Sequence, residues 1–152
     1  MDWVAPHWSA MANLARRLGA SDTWEDVLQD ALTSAWRNRT RFVPERGSAR
    51  NWLLAITADQ ARKSWRSAGR RRRRDAAFPE PGAQLAPGID LDLERAIARL
   101  PHRQRVAVTL HYLMGLPVND AAAVMGCSPG TVKSTLFEAR RHLRSELGEE
   151  YR

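Results

Sequence analysis

The sequence predicts an all-α protein of two small helical domains joined by a Pro/Gly-rich linker, and three observations carry that reading. Apolar residues recur at i, i+3, i+4 and i+7 along most of the chain, and no alternating run competes as a strand. Residues 75–90, DAAFPEPGAQLAPGID, carry prolines at 79, 81 and 87 and glycines at 82 and 88, which cannot hold a helix and read as an extended or flexible linker. Charge divides at the same place: residues 1–74 hold 15 Lys+Arg against 7 Asp+Glu, net +8, whereas residues 75–152 hold 9 against 10, net −1. The expected domains are therefore 1–74 and 91–152, each large enough for a modest core.

In the first domain, apolar spacing predicts helices over residues 3–18, 23–38 and 48–67, the last capped by Ser48 after the turn-like Pro44-Glu45-Arg46-Gly47. Trp24, Leu28, Ala31, Leu32, Ala35 and Trp36 share one face of the second helix and predict its core stripe. On the opposite face Asp26, Gln29, Asp30 and Thr33 form an acidic and amide-bearing stripe within a basic domain, either a solvated face or a docking face. The third helix points Trp52, Leu53 and Ile56 toward a core, and Asp59, Arg62, Lys63 and Arg66 line one side before the run Arg70, Arg71, Arg72, Arg73, Arg74. Such a basic track, with Trp52 and Trp65 nearby, suits a phosphate backbone and offers rings for unpaired bases; core packing for Trp52 and a solvated linker start for the arginines are the plainer alternatives.

The second domain opens with an amphipathic helix from Leu91, ending at Leu100-Pro101, where proline can open the next helix. That helix, with Val106, Leu110 and Leu113 at helical spacing, runs to Met114-Gly115. A short helix over 118–125, a tight turn through Gly126-Cys127-Ser128 and a longer helix from Pro129 then make a helix-turn-helix pattern. Ser128 suits the N-cap and Pro129 the first helical position, and Val132, Leu136, Ala139 and Leu143 form the buried stripe. Thr131, Ser134, Thr135 and Glu138 face the other way, flanked by Lys133, Phe137, Arg140 and Arg144, so hydroxyl, cationic and aromatic groups are available to a major groove. Two-helix hairpins with no DNA role share this pattern.

Composition narrows the function classes. With 24 Lys+Arg against 17 Asp+Glu, the chain of 152 residues carries +7, which favours a polyanionic partner, nucleic acid first. The single cysteine, Cys127, excludes an internal disulfide framework. The segment MDWVAPHWSAMANLARRLG has no basic n-region followed by an apolar run, and nowhere do about 18 apolar residues run together, so a cytoplasmic chain without membrane insertion is expected. His7, His102, His111 and His142 are scattered without i, i+4 pairing, so no metal is expected. No Ser-His-Asp set, Gly-rich phosphate loop or catalytic carboxylate pair is present, so neither an enzyme nor a cofactor is expected.

Two motif sets resemble the extracytoplasmic-function (ECF) sigma factors of bacterial RNA polymerase, in order and across nearly the whole chain. Trp24-Glu25-Asp26-Val27-Leu28-Gln29-Asp30, with Ala35-Trp36-Arg37 and Arg46-Gly47-Ser48 followed by Trp52-Leu53, is similar to sigma region two. Leu100-Pro101-His102-Arg103-Gln104-Arg105 and Gly130-Thr131-Val132-Lys133-Ser134, with Ala139-Arg140-Arg141, resemble sigma region four. The resemblance implies that Asp26, Gln29 and Asp30 dock on the clamp helices of core RNA polymerase. It implies that the loop and helix from Phe42 to Arg66 melt the minus-ten promoter element and hold a flipped base, with Trp52, Asp59, Arg62, Lys63 and Arg66 at the DNA. It further implies that Ser128, Thr131, Lys133, Ser134, Thr135, Phe137, Glu138 and Arg141 meet the minus-thirty-five element, and that an anti-sigma factor holds the protein inactive. Cys127 occupies a turn position that the family commonly fills with an apolar side chain, so it reads as packing.

Three positions depart from the family pattern. Asp59 stands where asparagine is frequent, so it lacks an amide donor and repels phosphate. Glu138 stands where a basic residue is frequent, and its carboxylate suits a cytosine amino group. Pro117 replaces a common Ser cap and pre-sets the turn instead. Two alternatives stay open on the residues alone: a stand-alone helix-turn-helix regulator, which leaves the first domain unexplained, and an adaptor that binds core polymerase without opening promoters.

Overall fold

The structure, a computed structural model, describes residues 2–19, 22–75 and 90–148, and of residues 71–75 it describes the backbone. Among the described residues all regular structure is helical, and the chain separates into two compact units, residues 1–82 and 83–152. The expected linker lies, apart from its ends Asp75 and Asp90, outside the described residues.

In the first unit, Pro6 sits in a 3-10 turn, Ala5–His7, so the first helix is shorter than expected and runs over α1, Trp8–Leu18. Met11, Leu14, Ala15 and Leu18 recur at i, i+3, i+4 and i+7 and are fully buried. Gly19 ends α1 at close quarters: a Cβ there would lie 2.7 Å from the Ala15 carbonyl oxygen and 3.3 Å from the Trp24 Cα. No side chain larger than hydrogen fits.

Helix α2, Trp24–Arg37, buries Val27, Leu28, Ala31 and Ala35 against α1 and α3. Two of the expected stripe residues, Trp24 and Leu32, are only half-buried, and Trp36 is 47% exposed. The buried line centres on Ala31 and Ala35, and one further residue turns the helix by about 100°, which carries Trp36 off the core.

Helix α3, Ala49–Asp75, begins as expected, with the Asn51 N–H donating to Ser48 Oγ at 3.1 Å. It continues past the expected end at residue 67, because Arg is a good helix former and no proline intervenes before Pro79. Its buried line is Leu53, Leu54, Thr57 and Ala61, whereas Trp52 and Ile56, both expected in the core, are half-buried. The Thr57 hydroxyl is satisfied in that core by donating to the Leu53 carbonyl at 2.8 Å.

The second unit is a separate helical core. Asp90 caps α4, Leu91–Arg99, by accepting from the Asp92 N–H at 2.9 Å, and Ala96, Ile97 and Leu100 are buried. Helix α5, His102–Val108, starts after Pro101 as expected but does not stay α-helical to Met114: it widens into a π-helical turn, Thr109–Leu113, closed by Met114 N–H donating to Thr109 O at 2.9 Å. Gly115, at φ +73°, reverses the chain. Arg105 is buried, donating from Nη1 to the Ala98 carbonyl at 3.3 Å and lying 3.2 Å from His102 Nδ1 through Nη2; burial pushes its pKa down to about 10, so it remains charged near neutrality.

Helix α6, Val118–Met125, ends at Gly126 in the left-handed conformation, at φ +67°, and α7, Pro129–Leu147, starts one short turn later. Val132, Leu136 and Ala139 are buried, with Leu143 half-buried behind them. Cys127 is half-buried in the turn between the two helices.

Candidate polymerase and nucleic-acid interfaces

Helix periodicity places Asp26, Gln29, Asp30 and Thr33 on the face of α2 opposite its buried line, and all four are exposed. Among the described residues Asp26, Gln29 and Asp30 make no hydrogen bond or ion pair. The same two carboxylates line a groove of about 310 Å³ whose far wall is Gln60, Lys63, Ser64 and Ser67 of α3. The acidic stripe and the start of the basic track thus share one concavity.

On α3 the basic track carries its own counterion. Asp59 Oδ1 accepts from Arg62 Nη2 at 2.8 Å, and Oδ2 lies 3.1 Å from Lys63 Nζ. Partial burial raises the Asp59 pKa, but the hydrogen bonds from Lys63 and Arg62 and their charges outweigh it and hold the carboxyl below its ordinary value. Asp59 therefore does not act as a bare negative charge against phosphate. Its single charge is shared between two of the cations expected to meet the DNA, and the three side chains together stay net positive. Arg66 and Arg70 are exposed, and Arg71 to Arg74 lie on a helical backbone, their side chains outside the described residues.

Trp52 is half-buried between Phe42, at 5.5 Å between ring centroids, and Trp3, at 6.1 Å. Sequence reasoning missed Trp3, which no local spacing connects to residue 52. Trp65, expected as a ring for unpaired bases, instead donates its indole N–H to the Leu18 carbonyl and so caps the last turn of α1. Its role is structural. The exposed Trp36 ring lies under the Arg39 guanidinium, 4.0 Å from the ring centroid.

The α6–turn–α7 hairpin presents the N-terminus of α7 as expected, and much of its polar surface is internally engaged. Ser128 Oγ accepts from the Thr131 N–H at 3.1 Å and lies 2.9 Å from Thr131 Oγ1. The Ser134 and Thr135 hydroxyls both donate to the Thr131 carbonyl, at 3.0 and 2.7 Å, which leaves them as acceptors. Glu138 is half-buried and 3.7 Å from Arg141, so it faces a cation of its own helix. Lys133 is exposed, and Phe137 is 54% exposed, a large ring that the core does not use. Among the described residues no group of three or more His, Cys, Asp or Glu could hold a metal, and no helix is long and apolar enough to cross a membrane.

Known families match both units. Residues 4–71 match Sigma-70 region 2, and residues 90–143 match Sigma-70, region 4. The ECF RNA polymerase sigma factor SigC of Mycobacterium tuberculosis is 37% identical over 148 residues, covering 91% of this chain and 76% of the relative. This chain belongs to the ECF sigma factors of the sigma-70 family. The sigma factor is also 27% identical over 161 residues to the ECF RNA polymerase sigma-E factor of Haemophilus influenzae, covering 95% of this chain and 85% of that one. It is similar to the sigma factor RpoE, solved in complex with the anti-sigma factor NepR from Bartonella quintana, with a TM-score of 0.78, 29% identity and coverage of 97% and 95% of the two chains. As a sigma factor, the protein directs transcription initiation at promoters.

Proposed function

We propose that this sigma factor docks on core RNA polymerase through Asp26, Gln29 and Asp30 of α2, and that α3 with the loop before it engages the melted minus-ten strand. Trp52, Asp59, Arg62, Lys63 and Arg66 form that surface, and Arg70 to Arg74 follow the backbone. Helix α7 reads the minus-thirty-five duplex through Ser128, Thr131, Lys133, Ser134, Thr135, Phe137, Glu138 and Arg141. The observation that carries the reading is the unpartnered acidic face of α2 in a unit of Sigma-70 region 2 type, followed by a region 4 unit whose capped helix α7 starts at an exposed turn.

The mechanism is differential binding. Contacts from α7 position the enzyme on duplex DNA, and contacts from α3 to unpaired bases offset the cost of unpairing. The sigma factor itself makes and breaks no covalent bond; the polymerase core supplies that chemistry. It acts in the cytoplasm, where polymerase and promoter are, and an anti-sigma factor occupies it in the inactive state, as NepR is bound to RpoE in the similar complex. Run-off transcription with purified core polymerase tests the reading. Initiation from a specific start supports it. Core binding without initiation identifies an adaptor. DNA binding without core binding identifies a stand-alone regulator.

A further inference from the structure

We propose that Tyr112 and Arg140 form a positioned phosphate clamp on one flank of α7, in which the Tyr112 hydroxyl aims the Arg140 guanidinium at the DNA backbone without neutralising it. The inference rests on α7 entering the upstream groove and goes beyond that reading, because Tyr112 lies outside the helix-turn-helix.

At about 100° per residue, the side of α7 opposite the buried Val132, Leu136 and Ala139 is centred near Ser134 and Arg141. Arg140 lies between the two faces, on the same flank as Lys133, Phe137 and Arg144. A side chain on the flank of a helix lying in a major groove meets the groove wall, which is sugar and phosphate, while the centre meets base edges.

The partner of Arg140 is unusual for a surface arginine. Its Nη1 donates to Tyr112 Oη at 2.6 Å, across 28 residues of sequence. No carboxylate among the described residues pairs with Arg140, whereas Arg141 lies 3.7 Å from Glu138 and Arg99 lies 3.8 Å from Glu146. A carboxylate would cancel the charge. A phenol restricts the guanidinium to one orientation and leaves its full charge and its remaining N–H donors available.

The backbone places Tyr112 there by a local departure from α-helix. The π-helical turn Thr109–Leu113 adds a residue to one turn, which rotates the residues after it by about 100° relative to an unbroken α-helix. Leu116 N–H donating to Leu110 O at 2.9 Å and His111 Nδ1 lying 2.7 Å from Leu116 O lock that turn, and the His111 ring packs against Tyr112 at 4.9 Å. Thr109 and Leu110 of the turn are buried, whereas Tyr112 is 50% exposed, so core packing does not account for the placement of its ring.

Tyr112 is a positioning residue, and its test needs more than loss of binding. Holoenzyme assembled with the full chain is titrated with two promoter fragments that share a minus-ten element, one carrying the preferred upstream element and one a scrambled upstream sequence, over a salt series. Tyr112→Phe is expected to weaken both fragments equally, by about three- to tenfold, with an unchanged melting temperature. Arg140→Ala is expected to weaken both further and to lower the salt slope by about one. The double variant should match Arg140→Ala alone. Arg140→Lys, which keeps the charge but loses the fork, should keep the slope and abolish the effect of Tyr112→Phe. Wild-type affinity in Tyr112→Phe, or penalties of Tyr112→Phe and Arg140→Ala that multiply, would overturn the clamp. Failure of the minus-thirty-five reading looks different: wild type then binds both fragments equally, while the slope difference on the scrambled fragment still reports on the clamp.

Discussion

The polar faces of α2 and α7 are both exposed, but they are prepared differently. On α2, Asp26, Gln29 and Asp30 have no partner among the described residues, so a docking protein breaks no internal bond to reach them. On α7, Ser128, Thr131, Ser134, Thr135, Glu138 and Arg141 already hydrogen-bond or pair with one another or with the helix backbone. A face with no internal partners offers its charges and its amide to a partner without losing an internal bond. A face held by its own bonds presents a set geometry, and discrimination between bases depends on geometry more than on net charge.

Reversing the charge on α2 has the largest expected effect. Asp26→Arg with Asp30→Arg is expected to reduce affinity for core polymerase by about 100-fold or more, roughly 3 kcal/mol, while circular dichroism shows an intact fold. Unchanged affinity in a folded double variant would make the stripe an ordinary solvated surface. On α7, Glu138→Arg removes an acceptor and sets a second cation beside Arg141, so the preferred base at one upstream position should change by roughly 1–3 kcal/mol, with the minus-ten preference unaltered. Selection from a randomised promoter library measures both. If the preferred upstream sequence stays the same, Glu138 serves as a strut for Arg141.

Two smaller effects concern α3, whose basic track lies between these extremes. Arg71→Ala with Arg73→Ala should lower the salt slope of promoter binding by up to about two, with sequence preference retained; an unchanged slope removes the arginine run from the DNA backbone. Asp59→Asn releases Arg62 and Lys63 and should tighten promoter binding by a few fold, measured on the same fragments. It also has a pH signature. Because the folded Asp59 pKa is lowered, its stabilisation is present above the ordinary value of 3.8 and is lost as pH falls through the lower folded value. With the Asp59 side chain 42% exposed, that amounts to about 0.5 kcal/mol or less, so Asp59→Asn should be less stable than wild type by at most that amount above pH 3.8, and the difference should vanish as pH falls through the lower folded value.

Helices and their boundaries were legible in the sequence wherever the signal is local. Ser48 and Ser128 cap the helices expected of them because a cap is decided within three residues, and the buried Val132, Leu136 and Ala139 follow from period alone. The acidic stripe was legible for the same reason. The end of α3 and the place of Trp36 were not, since propensity does not stop a helix without a breaker and periodicity does not say how wide the buried face is.

By itself, then, the sequence determined the all-α class, the two motif sets, the helix-turn-helix and the family, all of which rest on residues within a few turns of one another. Tertiary structure alone decided what the long side chains do. Trp65 reaches the Leu18 carbonyl across 47 residues, Arg140 reaches Tyr112 across 28, and Trp52 lies between Trp3 and Phe42. Each of those contacts depends on how the chain packs, and the contact of Arg140 with Tyr112 also on one π-helical turn, whereas helix periodicity reports which face is buried without reporting what it is buried against.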